Sequence, residues 1–156
     1  MSTTFTDSRR VYCSLPYVGA ALLSTVFLIT GQTIIVGARR KAAGIKYPQL
    51  YAEKAEVEKS FDALRFNCAQ RAHQNTMEFI PLLYLTTCLT ATKLPIVAAS
   101  LCGTWVLARV FYTRGYVTGK PEKRGLGART GILALFGLLG AATYVVGSAV
   151  KGQLGF

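Results

Sequence analysis

Arg71, Asn75 and Glu78 fall at i, i+4 and i+7, which is one face of a helix, and Asn67 extends that face by a turn. Arg109, Tyr112 and Tyr116 fall at i, i+3 and i+7 on one face of another. Arginines bind carboxylates as two-pronged donors. A glutamate accepts from an ammonium group, an asparagine offers donor and acceptor, and tyrosines add hydroxyls and apolar ring faces. Two such stripes on adjacent antiparallel helices form a pocket suited to a small zwitterion with more than one carboxylate. A second reading stays open: Glu78 pairs with Arg71 or Arg109, and the ions hold the helices in register without a ligand. His73 lies on a different face from Arg71 and Asn75, which suits an interface or capping residue better than a base. Trp105 reads as a packing or membrane-boundary group.

The elements that carry these residues are apolar. Hydrophobic residues make up 51% of the 156 and charged ones 16%, against about 25% charged in soluble domains. Val11 to Ala38 is a run of 28 residues without formal charge, where about 20 helical residues span a bilayer core. It is too long for the apolar part of a cleavable signal, and no small-residue cleavage site precedes Arg39. Thr130 to Val150 gives 21 uncharged residues, with glycines at 131, 137, 140 and 147 that suit close helix contact. Between them, Phe79–Thr92 and Leu94–Ala108 hold only 14 and 15 uncharged residues. Those two segments span only if Glu78 and Arg109 lie at or inside the membrane boundary, where ionisable groups persist by pairing, facing a cavity or binding something. The sequence therefore predicts an all-α integral membrane four-helix bundle. It is read as a single four-span domain over residues 1–156, with helices near 12–38, 61–91, 94–117 and 128–151. The first and fourth are read as facing lipid, and the middle two as carrying the polar groups.

A tight turn near Thr92–Pro95 joins the middle helices, and two long connections lie at the other end. That end carries twelve Lys and Arg, from Arg39 to Arg129, against Arg9, Arg10, Lys93 and Lys151 opposite, with Arg71 and Arg109 left out as intramembrane. The excess puts the long connections in the cytoplasm. The net charge of +11 suits anionic lipid headgroups and an anionic ligand. It does not suit nucleic acid, because the charges form no aromatic-interleaved stripe. One histidine and four cysteines without a CxxC pair leave no metal site. The cysteines read as buried, reduced, apolar fillers.

Phe66-Asn-Cys-Ala-Gln-Arg-Ala-His-Gln-Asn-Thr-Met-Glu78 resembles the signature of the membrane-associated proteins in eicosanoid and glutathione metabolism, the MAPEG family. Ala38-Arg39-Arg40, Lys46-Tyr47-Pro48, Gly115-Tyr116 and Thr118–Arg124 support it. The resemblance implies a homotrimer of four-helix subunits in the endoplasmic reticulum membrane. The nuclear envelope and outer mitochondrial membrane are alternatives. Glutathione, as co-substrate, would lie between subunits on the cytosolic side. Carried over by position, Arg39, Arg71, Asn75, Glu78, Tyr112 and Tyr116 match glutathione ligands, and His73 stands where relatives can have a glutamine ligand. Arg124 matches the arginine that stabilises the glutathione thiolate, with Arg40 as a second that could assist. The segment from Tyr116 to Arg124 is one residue longer than in a relative, so either Lys123 or Arg124 takes that place. Phe79 replaces a tyrosine of the same relative.

The activity implied is a glutathione transferase and peroxidase. The thiolate attacks a hydrophobic electrophile or reduces a lipid hydroperoxide, and leukotriene synthesis is a further possibility. The alternative is a non-catalytic lipid-presenting scaffold of the lipoxygenase-activating type, a branch that departs at the positions of Arg71 and Glu78. A small channel would need repeats or broken helices, which the sequence lacks.

Overall fold

The computed structural model describes residues 3–155, with side chains from Tyr12 to Gly155. The side chains of Arg9 and Arg10 lie outside the described residues. Among those described there are five α-helices and no strand: α1 (Thr3–Ala43), α2 (Lys54–Lys59), α3 (Phe61–Ala91), α4 (Pro95–Tyr116) and α5 (Gly125–Leu154). A 3-10 turn, Pro121–Arg124, leads into α5. The short α2 and the 3-10 turn lie in connections that the sequence reading leaves as loops. α1 and α5 run well past the expected 12–38 and 128–151.

Local signals explain the ends. α1 stops with Arg40 and Lys41 in its last turn, where cations face the helix dipole favourably, and Gly44 follows in the left-handed region at φ +69°. Ser60 caps α3 by accepting from the Ala63 amide at 3.4 Å. Pro95 opens α4, where its missing N–H costs nothing.

Three segments are long and apolar enough to cross a membrane: Tyr12–Ala43, Pro95–Tyr116 and Pro121–Leu154. They mark a multi-pass membrane protein. α3 has 31 residues but is not among them, since Asp62, Arg65, Arg71 and Glu78 interrupt it. Apolarity thus accounts for three of the four expected spans.

α3 and α4 pack on each other, and α1 and α5 each pack on both. Leu28, Leu83, Cys102, Trp105, Leu135 and Leu138 form the main apolar core. Of the buried threonines on α3, Thr76 and Thr86 bond carbonyls one turn back at 2.9 and 2.8 Å and Thr90 reaches the Leu138 carbonyl of α5 at 3.5 Å, whereas the Thr87 hydroxyl has no partner among the described residues. The expected glycine contacts are only partly made. Gly140 and Gly147 face open space, while Gly127 is the residue pressed hardest against α4. Of the cysteines, Cys68 and Cys102 are buried, whereas Cys13 and Cys88 are exposed.

α1 is not simply lipid-facing. Gln32 is 2% exposed and donates to Thr76 on α3 at 2.9 Å and Thr113 on α4 at 2.6 Å. At the end with the long connections, Arg65 donates to the Val117 carbonyl at 3.4 Å, which ties the start of α3 to the end of α4. At the other end Lys93 donates to Ser148 at 3.2 Å.

Candidate functional site

The α3 stripe forms as its spacing requires. Arg71 Nη1 donates to Glu78 Oε1 at 2.7 Å, and Asn75 Nδ2 donates to Glu78 Oε2 at 3.2 Å. The α4 stripe meets it through Arg109, which is 4% exposed. Its Nη2 donates to Asn75 Oδ1 at 3.0 Å and to Thr76 Oγ1 at 2.8 Å, and its Nε to Thr76 Oγ1 at 3.1 Å. The guanidinium also lies over the Tyr112 ring, 3.8 Å from its centroid, a cation–π contact strengthened by desolvation.

α5 brings the third arginine. A Cβ at Gly127 would collide with the Ala108 carbonyl and the Tyr112 amide, so only glycine lets α5 start against the α4 backbone. A Cβ at Gly115 would collide with the Lys123 carbonyl in the same way. This close approach sets Arg124 over the Tyr116 ring at 4.7 Å, and its Nη1 donates to the Tyr112 hydroxyl at 3.3 Å. Tyr112 and Tyr116 meet edge to face at 5.5 Å. Arg124 faces inward and Lys123 is exposed.

These groups surround a cavity of about 290 Å³ between α3, α4 and α5, lined by Arg71, Asn75, Arg109, Tyr112 and Arg124 and closed by Phe79, Trp105 and Leu135. Phe79, Ile132 and Leu135 also line a second cavity of about 280 Å³, which continues along Leu82, Phe136 and Leu139 and is otherwise apolar. Polar chamber and apolar groove therefore share a wall. Three guanidiniums with one nearby carboxylate favour a ligand carrying more than one negative charge.

Glu78 and Tyr116 do not line the cavity themselves but touch residues that do, Arg71 and Arg124 respectively, and four further sequence candidates stand elsewhere. Arg40 is 7% exposed, donates to the Gln49 carbonyl at 2.6 Å and lies over the rings of Tyr47 and Phe66 at 4.3 and 4.5 Å. Its guanidinium holds the α1–α3 connection and does not line the cavity, although its Nε is buried without a partner among the described residues. His73 faces α1, 3.4 Å from Thr33 Oγ1, and does not line the cavity. Arg39, on the last turns of α1, does not line it either. Asn67 clips the connection, accepting from the Ala52 amide at 2.7 Å and donating to its carbonyl at 2.9 Å.

Other residues emerge only in three dimensions. Gln32, Thr76 and Thr113 orient Arg109, and the signal for Gln32 was its place as the only side-chain amide in the uncharged run of α1. Trp105 walls the cavity rather than only filling the core. Tyr51, held by the clipped connection, donates to Gln74 Oε1. Burial raises the Tyr51 hydroxyl above its usual pKa, while the Arg71 guanidinium beside it pulls the other way. No periodicity marks a loop tyrosine, so it was not legible.

The model of the MAPEG family matches residues 18–144, a stretch that contains every residue lining the polar cavity, and the chain belongs to that family.

Proposed function

We propose that the chain is a membrane glutathione transferase and peroxidase, of the microsomal glutathione S-transferase 3 type within its family. Membership supports glutathione-related or eicosanoid metabolism broadly. The observation that carries the finer reading is the convergence of Arg71, Arg109 and Arg124 on one cavity that shares a wall with an apolar groove. Glutathione has two carboxylates, an amine and a thiol. Arg71 and Asn75 would take carboxylate, Glu78 the ammonium, and Arg124 with Tyr112 the sulfur. A free thiol titrates at about 8.5, and a guanidinium beside it favours the nucleophilic anion. The apolar substrate would lie along Phe79, Leu82, Ile132, Leu135, Phe136 and Leu139.

A homotrimer fits the same site. Arg71 and Glu78 keep 44% and 54% of their side chains exposed on a helix between apolar spans. Ionised groups facing lipid are costly, and a neighbouring subunit over this face removes that cost while closing the site. A bundle of four spans then follows, with α3 shielded by its neighbours. The basic excess at the end with the long connections supports a cytosol-facing site, in the endoplasmic reticulum membrane.

The presence of both Arg71 and Glu78 favours this reading over the scaffold, a branch that departs at those positions. Calorimetry of glutathione binding to the detergent-solubilised assembly tests it. Saturable binding at one class of sites supports the proposal, and absence of heat at millimolar glutathione overturns it.

A further inference from the structure

Arg109 has more donors than the protein uses. Its Nε and Nη2 are spent on Thr76, Asn75 and the Ala72 carbonyl. Thr76 is itself fixed by Gln32 from α1, so the plane of the guanidinium is set from two helices. No acceptor for Nη1 is found among the described residues, nor does any carboxylate there lie within 4.0 Å of Arg109. The Tyr112 ring covers one face of this buried cation, but it leaves Nη1 without an acceptor, and a buried cation without a counterion is costly unless something completes its shell.

Its position is specific. A Cβ at Gly131 would stand 3.9 Å from Trp105 Cδ1 and 4.0 Å from Arg109 Cδ, so Arg109 is level with Gly131 on α5. The next residue, Ile132, and Leu135 one turn further line both the polar chamber and the apolar groove. Arg124 lies before the start of α5, about 10 Å back along the axis at 1.5 Å per residue. The chamber thus has one guanidinium at its outer end and another where it meets the groove.

We infer that Arg109 is a catalytic residue toward the apolar substrate: its Nη1–H donates to the oxygen that departs as an oxyanion when the thiolate attacks. The inference rests on the glutathione reading above. With a hydroperoxide, the sulfur bonds the terminal oxygen and the O–O bond breaks. Its electron pair leaves on the alkoxide, which takes a proton from water to give the alcohol. The peroxide is reduced by two electrons and the sulfur is oxidised to a sulfenic acid. A second glutathione converts that to the disulfide and water. With an epoxide, a C–S bond forms, the C–O bond breaks, and the alkoxide is protonated likewise. Arg109 keeps its protons throughout, and a fixed donor in a water-poor site stabilises charge as it develops.

The test uses the full chain in detergent and single-turnover rates with thiolate already formed. The substrates are a series of aralkyl hydroperoxides of graded alkoxide basicity, and one aryl halide whose leaving group is halide. In Arg109→Gln the hydroperoxide rates should fall about 100- to 1,000-fold, the scale of losing one oxyanion donor. The dependence on alkoxide basicity should steepen, while the aryl halide loses far less. Arg109→Lys should recover part of the rate. An equal loss on every substrate, or an unchanged slope, overturns the inference. If the variants do not fold, the wild type alone decides: its slope should be shallower than that of free thiolate in solution, and equal slopes overturn the inference. Absence of thiolate in the wild type would instead defeat the glutathione reading itself.

Discussion

The Arg124 Nη1 lies 3.3 Å from the Tyr112 hydroxyl, joining the turn before α5 to the face of α4. The contact exists because Gly127 lets the two helices touch backbone to backbone. It sets a guanidinium and a phenol hydroxyl side by side at one end of the polar cavity, while Lys123 points outward.

Arg124→Ala should keep glutathione binding within about tenfold but lose most turnover at neutral pH, since the bound thiol returns toward its free value near 8.5. A guanidinium stabilises the anion and so depresses the bound thiol's pKa. Activity is then full above that value and falls as pH drops through it. The acid limb of the pH–rate profile should shift to higher pH in Arg124→Ala and stay in place in Lys123→Ala. The reverse pattern would move the role to Lys123.

Arg71 and Glu78 are bonded to each other at 2.7 Å, so single removals leave a charge without its partner. Arg71→Leu and Glu78→Leu should each weaken glutathione binding about 10- to 100-fold, the range for hydrogen bonds to charged groups. Titration calorimetry on both singles and the double should show strong non-additivity. Strict additivity would mean that the pair does not act as one clamp.

Gly127→Ala puts a methyl group into the Ala108 carbonyl and the Tyr112 amide. Overpacking of this kind costs about 1–3 kcal/mol, and here it also pushes Arg124 away from Tyr112. Thermal unfolding in detergent should show a lower Tm, with turnover falling more than glutathione affinity. Gly140→Ala, which meets open space, should change neither.

Arg40 and Asn67 hold the connection between α1 and α3. Arg40→Ala and Asn67→Ala should each cost about 1–3 kcal/mol as buried bonds are lost and open residues 44–53 to limited proteolysis. Thiolate formation per folded protein should stay within about twofold for Arg40→Ala, since the arginine lies outside the cavity. A selective loss of chemistry in a stable Arg40→Ala protein would make Arg40 the catalytic assistant that the resemblance implies.

How much of this was legible follows from range. Arg71, Asn75 and Glu78 share one helix, and the 3.6-residue period alone puts them together. Tyr112 and Tyr116 were readable for the same reason. Arg124 could not be placed against them from spacing, because its position depends on the 3-10 turn at Pro121–Arg124 and on Gly127. Arg40 is a candidate by resemblance, and Asn67 because it stands four residues before Arg71 on the same helix face. Their partners are backbone groups of the Gln49–Ala52 loop, which no periodicity exposes. The lipid-facing reading of α1 failed at Gln32 for a related reason: a single amide in an apolar run has little weight until the two threonines it bonds are known. The length of α3 was clear, but its apolarity was not enough to mark it as a span.

The most direct measurement is the ultraviolet difference absorbance of thiolate when glutathione is added to solubilised protein, at a pH about one unit below the free thiol value near 8.5. Wild type should show a saturable thiolate signal that Arg124→Ala loses while still binding glutathione. A titration with binding but no thiolate in the wild type would contradict the arginine-lined cavity as the place where the sulfur is ionised.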